Sequence, residues 1–431
     1  MKRILFTISL LLSAMAMTVC CGCSPGADGG HGTVDIVQEG RDWDGPKKYI
    51  VINDYDWSYL EKKIASTFGT GEGQDVMVGQ GVLIYLFQRP LETHLNNLAR
   101  HLKESEENGI PLLIQLDPVT FWDSVPELWN WWDPSKPGYD PANKENVEWT
   151  SWSSDDAVKV GWLNWGRQIR LAPMANLFAP AYQDAVKKRM STVIGKINDW
   201  YTGLPESKKY LLIGIKITGE LAVGVNNWYY DGGNDLLSQD AGNDPVSGID
   251  IYNKPSRSAG DVSTIGYAGC RYAGIRSEGA LTGDDIALLE KEFTLFVSRI
   301  ATSFDIPREK VFAHAGGVGT DLDACINDLV CPSWSFYGAD AVDARNASYC
   351  LRLFENSSAP RWGVAEWAIS GNAARWAESI RSALSIEGCY FLSAYCNVIG
   401  NNNGTTVNQE AVRGIKAICQ DDSWLPGESV R

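Results

Sequence analysis

The sequence predicts an α/β fold, a single (β/α)8 TIM barrel, on three observations. Eight short, β-rich apolar runs recur between residues 49 and 395. Helix-spaced patterns lie between them, as the crossovers of a closed parallel sheet require. Two connections, Pro118 to Pro180 and Leu221 to Leu281, are each about 60 residues long, far beyond the usual link in a compact domain. They follow strands three and four, so a barrel would carry both on its C-terminal face, where barrel active sites are built.

The first run is Tyr49–Asn53 (YIVIN), followed by Val82–Phe87 (VLIYLF), Leu112–Asp117 (LLIQLD) and Leu211–Ile217 (LLIGIKI). Val311–His314, Trp334–Tyr337, Gly363–Glu366 and Tyr390–Tyr395 complete the set. Between strands two and three, Leu91, Leu95, Leu98 and Leu102 recur at three- to four-residue spacing, which predicts a helix over 91–107. Long helices are expected over 182–201 and 286–304, the second behind a Thr282 cap with Asp285 three residues on. Shorter ones fit 322–329, 347–354, 373–384 and 409–419, the last behind an Asn408 cap. The barrel runs from about residue 47 to 420, so 47–431 reads as one catalytic-size domain without internal repeats.

Of the 431 residues, 44% are hydrophobic and 21% charged, which suffices for a large core and excludes a disordered chain. A formal charge of −15 argues against nucleic acid as a partner, because phosphate contacts need a basic surface. The N-terminus reads as an address. Met1-Lys2-Arg3 precedes an apolar stretch from Ile4 to Val19, then Cys20-Cys21-Gly22-Cys23. This pattern resembles a bacterial lipoprotein signal over residues 1–23, with Cys23, preceded by Gly22, as the lipidation candidate and Cys20 and Cys21 as competitors. An ordinary secretory signal is the alternative. Residues 24–46 then form a tether and extension, starting with SPGADGGHG. The expected location is the bacterial cell envelope, with membrane contact through the lipid anchor only. Seven further cysteines show no C-x-x-C pair and are odd in number. They read as buried thiols, with one or two disulfides as the alternative.

Polar residues at the C-terminal strand ends are the site candidates. In strand order they are Asn53, Asp54 and Asp56; Gln88 and Arg89; Asp117; Glu220; His314; Tyr337; Glu366; and Tyr395 with Asn397. Glu220 and Glu366 stand out because each ends an apolar run, where an unpaired charge is costly. Strands four and seven face each other across an eight-stranded ring. A carboxyl pair so placed suits glycoside hydrolysis, one group protonating the leaving oxygen and the other attacking or activating water. A salt bridge at the barrel mouth, Glu366 with Arg89, is the structural alternative. The first long connection carries Trp122, Trp129, Trp131, Trp132, Trp149, Trp152, Trp162 and Trp165 out of 17 tryptophans. Indole faces stack on sugar rings, so at least two of these are expected to line the cleft. A self-packed cap is the competing reading.

Glu at the ends of strands four and seven of such a barrel resembles clan A of the retaining glycoside hydrolases. The stretch from Asn146 to Gly233, with NVEWTSW, NWGRQIRLAP and GELAVGVNNWYY, also looks like glycoside hydrolase-like lipoproteins of the Bacteroidota. The resemblance implies Glu220 as acid/base, Glu366 as nucleophile, Tyr337 as the tyrosine bonded to the nucleophile and Arg89 as the basic residue beside it. A retaining pair would set the two carboxyl carbons about 5–5.5 Å apart. Asp117, Trp122, Asn226, His314, Trp367 and Tyr395 complete the expected substrate-binding set. Two departures stand out. The clan's Asn before the acid/base is Gly219 here, with Asn226 or Asn227 as candidate replacements, and its strand-eight Trp is missing, with Tyr395 the nearest aromatic.

No cofactor and no metal are expected: G-x-S-x-G, H-E-x-x-H and Walker A sequences are absent. His94 and His101 fall within one helix, and Asp231, Asn234 and Asp235 lack EF-hand spacing. The expected function is hydrolysis of O-glycosidic bonds in a poly- or oligosaccharide. The rivals are a non-catalytic glycan-binding lipoprotein, with the Trp-rich segment as its surface, and a lyase or other hydrolase using His314 and Tyr337.

Overall fold

The computed structural model describes residues 45–53, 60–164, 168–221, 223–227, 262–316, 322–395, 398–400, 407–421 and 423–425. The lipidation candidate Cys23, the tether, Asp54, Asp56, Trp165, Asn397, Cys396 and the Asp231–Asp235 group lie outside them, as does the side chain of Trp162.

Eight parallel strands close into a barrel: β1 Lys48–Asn53, β2 Val76–Tyr85, β3 Leu112–Asp117, β4 Leu212–Lys216, β5 Val311–Ala315, β6 Cys331–Phe336, β7 Trp362–Trp367 and β8 Cys389–Tyr395. Each pairs with the next in sequence, and β8 returns to β1 with Tyr395 opposite Asn53. The main crossover helices are α1 Leu60–Phe68, α2 Leu91–Asn108, α3 Pro180–Gly203, α4 Gly283–Ala301, α5 Ser348–Glu355, α6 Ala373–Leu384 and α7 Gln409–Gln420. Thr282 and Asp285 close a reciprocal capping box on α4, and Asn408 caps α7.

Most bounds shift by a few residues, and three elements differ in kind or extent from the sequence reading. β2 starts at Val76 and ends at Tyr85, because Gly79-Gln80-Gly81 interrupts the apolar run without breaking the strand. A Cβ at residue 79 would sit 2.6 Å from Ile213 Cδ1, so the barrel interior demands glycine there. α1 was not anticipated from the pattern. The expected helix over 322–329 is a single 3-10 turn, Leu322–Cys325. Asn327 accepts from the backbone N–H groups of Leu329 and Val330, and this local turn displaces helical bonds.

The period-two alternation of the strands explains where the polar groups go. Inward positions low in the barrel are apolar: Tyr49, Val51, Met77, Leu113, Ile213, Phe312 and Phe391 plug its floor. Two residues further along the same strands the interior turns polar, with buried Asn53, Gln115, His314 and Ser393, and Asp117 and Lys216 above them. The floor is closed and the C-terminal mouth is charged. The cysteines at 270, 325, 331, 350, 389 and 419 are free thiols, all but Cys419 buried.

The described parts of the two long connections are stitched together. The first holds a short helix (Pro126–Trp129), two 3-10 turns and an antiparallel ribbon of Gly161–Asn164 with Gln168–Leu171. In the second, Val225–Asn227 pairs with Val262–Thr264 ahead of a short helix, Tyr267–Tyr272. Glu148 of the first accepts from the backbone N–H groups of Gly266, Ala268 and Gly269 in the second. Asn226 donates to the carbonyl of Val160, and Tyr272 to Glu145.

Candidate active site

Glu366 lies on β7 and Glu220 four residues past the end of β4, each with part of its side chain open to solvent. A register shift between Trp334 and Ser335 on β6 sets Ser335 opposite Glu366. Such irregularities re-aim side chains at barrel rims. From this turn of β6 two hydroxyls reach the two acids. Ser335 Oγ donates to Glu220 Oε1 at 2.5 Å, and the Tyr337 hydroxyl donates to Glu366 Oε2.

Lys216, the last residue of β4, is buried to 1% exposure beneath the pair and donates to the carbonyl of Ala365 at 2.8 Å. Burial pulls its amine down to about 8, while Glu366, Glu220 and Asp117 pull it back up. The lysine therefore remains cationic at neutral pH. Its charge and the Tyr337 hydrogen bond oppose the upward push that burial gives Glu366. Glu220 is raised to about 7, by burial first and then by the Glu366 charge, against the Ser335 hydrogen bond and Lys216. Lys216 acts on both carboxyls; they differ in their hydroxyl partner, the Tyr337 phenol for Glu366 and the Ser335 hydroxyl for Glu220, and in the Glu366 charge that raises Glu220. Burial also pushes the Tyr337 phenol well up, so it stays a donor.

Glu220, Glu366, His314, Tyr337 and Asp117 come together at the mouth. His314 is buried, with Nε2 2.8 Å from Ser335 Oγ, and burial holds it well below its usual range. As the neutral partner of a serine it offers little to a lyase. Tyr395 sits half-buried at the end of β8. Arg89 is a correction. β2 ends at Tyr85, so Arg89 follows a turn, exposed, and its charge acts on His94. Lys216, inside the fourth run LLIGIKI, supplies the positive charge in its stead. Ser335 was missed as well. A lysine inside LLIGIKI was the available signal, since a buried ammonium must find partners; Ser335 left none.

Trp367 is a second correction: it is 1% exposed, donates to the carbonyl of Ala341 and packs edge-on against Trp376, on the helix side of β7. Asn226 is buried and holds Val160, as described above. Trp122, a third, is 1% exposed, bonds the carbonyl of Pro173 and stacks edge-on with Tyr182. Its neighbours behave alike. Trp129, Trp131, Trp149 and Trp152 donate to the carbonyls of Trp122, Val158, Lys144 and Gly279. Each of these six described indoles, Trp132 included, is buried or half-buried. Five of them are thus tied into the cap by their indole N–H groups, as a self-packed cap requires, while Trp129, Trp131, Trp132 and Trp152 keep part of their surface open.

Asp117 explains Gly219. Its carboxylate accepts from the N–H groups of Val119 and Thr120 and from the Thr120 hydroxyl, which starts the first long connection. A Cβ at residue 219 would lie 2.6 Å from Asp117 Oδ2, and these bonds leave Asp117 no room to yield. Gly219→Ala is therefore expected to cost about 1–3 kcal/mol by overpacking, read as a lowered urea midpoint. An unchanged midpoint would mean that Asp117 moves freely.

Among the described residues no group of three or more His, Cys, Asp or Glu is arranged to hold a metal ion. No protein-family model matches the chain, and no curated protein matches it in sequence. Solved structures do align. A β-galactosidase from the psychrophilic Marinomonas ef1 gives a TM-score of 0.44 at 9% identity, covering 87% of this chain and 59% of that one. A GH5-4 broad specificity endoglucanase from Clostridum cellulovorans gives 0.40 at 7%, covering 88% and 98%. A β-1,4-D-mannanase from Cryptopygus antarcticus gives 0.41 at 10%, covering 89% and 93%. The chain thus spans about three-fifths of the β-galactosidase's length. The closed eight-stranded barrel is established by the strand order itself.

Proposed function

We propose that the chain is a retaining glycoside hydrolase acting on a poly- or oligosaccharide, with Glu366 as nucleophile and Glu220 as acid/base. One observation carries the reading: two carboxyls meet at a barrel mouth, both raised by burial, but Glu366 is held back by Lys216 and the Tyr337 hydroxyl while the Glu366 charge pushes Glu220 further up. Pairs pushed apart in this way are how one site runs acid and base chemistry at a single pH. Ionised Glu366 attacks the anomeric carbon while Glu220 gives its proton to the departing oxygen, and the glycosidic bond breaks. Glu220, now a carboxylate, takes a proton from water. The water oxygen displaces Glu366 from the anomeric carbon and frees it for the next turn. The first step needs Glu220 protonated, so kcat/KM should fall as pH rises through about 7. We also propose that Cys23 carries a lipid that holds the enzyme at the bacterial cell envelope.

The test is incubation of the full chain with a panel of plant, algal and bacterial glycans, with products followed by mass spectrometry and early anomers by proton NMR. New reducing ends of the same anomeric form as the substrate linkage support the proposal. Inversion would rule out Glu366 as nucleophile. Glycan binding with no product from any substrate would favour a non-catalytic glycan-binding protein.

A further inference from the structure

The bonds behind Glu220 form a second layer with its own logic. Thr218, two residues before Glu220, accepts from the backbone N–H of His314 at 2.7 Å and donates to its carbonyl at 3.0 Å. The Glu220 turn is thereby clipped to β5. The His314 ring reaches β6, with Nε2 2.8 Å from Ser335 Oγ, and Ser335 reaches back to Glu220. Gly316, at φ 134°, lets β5 leave so close to Ser335 that a Cβ there would lie 2.9 Å from the serine Cβ. The serine is confined on that side.

Counting protons assigns every donor. A serine hydroxyl has one proton to give, and here it points to Glu220. His314 Nε2 must then be the N–H that Ser335 accepts, and Nδ1 carries no proton. Nδ1 is buried without a partner, so a second ring proton would have no acceptor. The ring is fixed as one neutral tautomer. Tyr337, the next hydroxyl along, directs its proton to Glu366.

We propose that Ser335, oriented by His314, is a positioning residue that reserves Glu220 Oε1 as an acceptor and leaves Oε2 to carry the transferable proton. The inference rests on the reading of Glu220 as acid/base. Protonation at Oε1 would force the Ser335 hydroxyl to give up its bond to the carboxylate for the neutral Tyr337 oxygen, because the neighbouring Nε2–H offers it no acceptor. The proton that leaves for the departing oxygen, and the one that returns from water, therefore both use Oε2, while Ser335 and His314 keep theirs. The other charged groups acting on Glu220 are Glu366 from β7, Lys216 from β4 and Asp117 from β3. None of them donates to Oε1 in place of Ser335.

The experiment is a carboxyl titration of the full chain labelled with 13C-carboxyl glutamate, the Glu220 signal being identified by its loss in E220Q. Removing the donor in S335A should raise the Glu220 titration by about one pH unit, and S335T should restore it. H314L, which leaves the serine unoriented, should shift it in the same direction. H314Q, which keeps an N–H near the Nε2 position, should stay close to the native value. With a turned-over substrate, the alkaline limb of kcat/KM should move with the titration, and kcat should drop about tenfold with KM little changed. An unmoved titration in an S335A protein that melts like the native one overturns the proposal, as do equal shifts in H314L and H314Q. If S335A does not fold, S335C takes its place, with a smaller upward shift expected from a weak thiol donor. The titration needs no turnover. A shift without hydrolysis of any glycan would sink the glycosidase reading, whereas hydrolysis with an unmoved titration would sink only the positioning role.

Discussion

Glu366→Gln is expected to abolish hydrolysis, lowering kcat by roughly 10⁴-fold or more, while glycan binding survives. The amide keeps the shape of the carboxyl and still accepts from Tyr337, so the pocket is retained. What disappears is the negative charge that would attack the anomeric carbon. A second effect has a definite sign. The Glu366 charge raises Glu220, so removing it should move the Glu220 titration down from about 7, in the direction opposite to S335A. Glu220→Gln should behave differently. It removes the proton donor but leaves the nucleophile, so substrates with activated aryl leaving groups should lose far less than natural glycosides. Equal losses on both substrate types would break the assignment of roles. Native-like turnover in E366Q would remove Glu366 from the chemistry altogether.

The elements legible in the sequence are those where local pattern and tertiary demand agree. β3 and α6 match their expected bounds to the residue, and the Thr282 and Asn408 caps stand where the side chains suggested. Failures have physical causes. The glycines of β2 read as an interruption because the pattern shows side chains, whereas the strand needs their absence. The expected strand end at Phe87 set Arg89 near the mouth, although it lies four positions past the true end at Tyr85. Tryptophan count was a poor guide to exposure, because an indole N–H that finds a loop carbonyl makes an effective cap residue. Glu220 and Glu366 could be singled out from strand order alone. Lys216 and Ser335 depend on the inward face and on the register shift in β6, which only three-dimensional pairing shows.

Lys216→Met tests the electrostatic core of the site and should be costly twice over. The variant keeps the length and apolar stem of lysine but leaves Glu366, Glu220 and Asp117 without the buried cation that acts on all three. Breaking a buried charge group in this way costs about 3–5 kcal/mol. The loss should depend on pH. Burial already raises each of these carboxyls in the folded protein, so the native fold binds protons at a higher pH than the unfolded chain does. Without the lysine the folded-state values rise further, and stability then improves as pH falls. Urea denaturation should accordingly show a wide gap between native protein and variant at pH 7.5 and a narrower one at pH 5. Activity should follow the same electrostatics. Glu366 must be ionised to attack, so raising its pKa moves the acid limb of kcat/KM upward in pH and depresses turnover at neutral pH. A K216M protein with native stability at both pH values and an unshifted acid limb would show that Glu366 does not depend on this cation, and the division of labour between the two carboxyls would need another source.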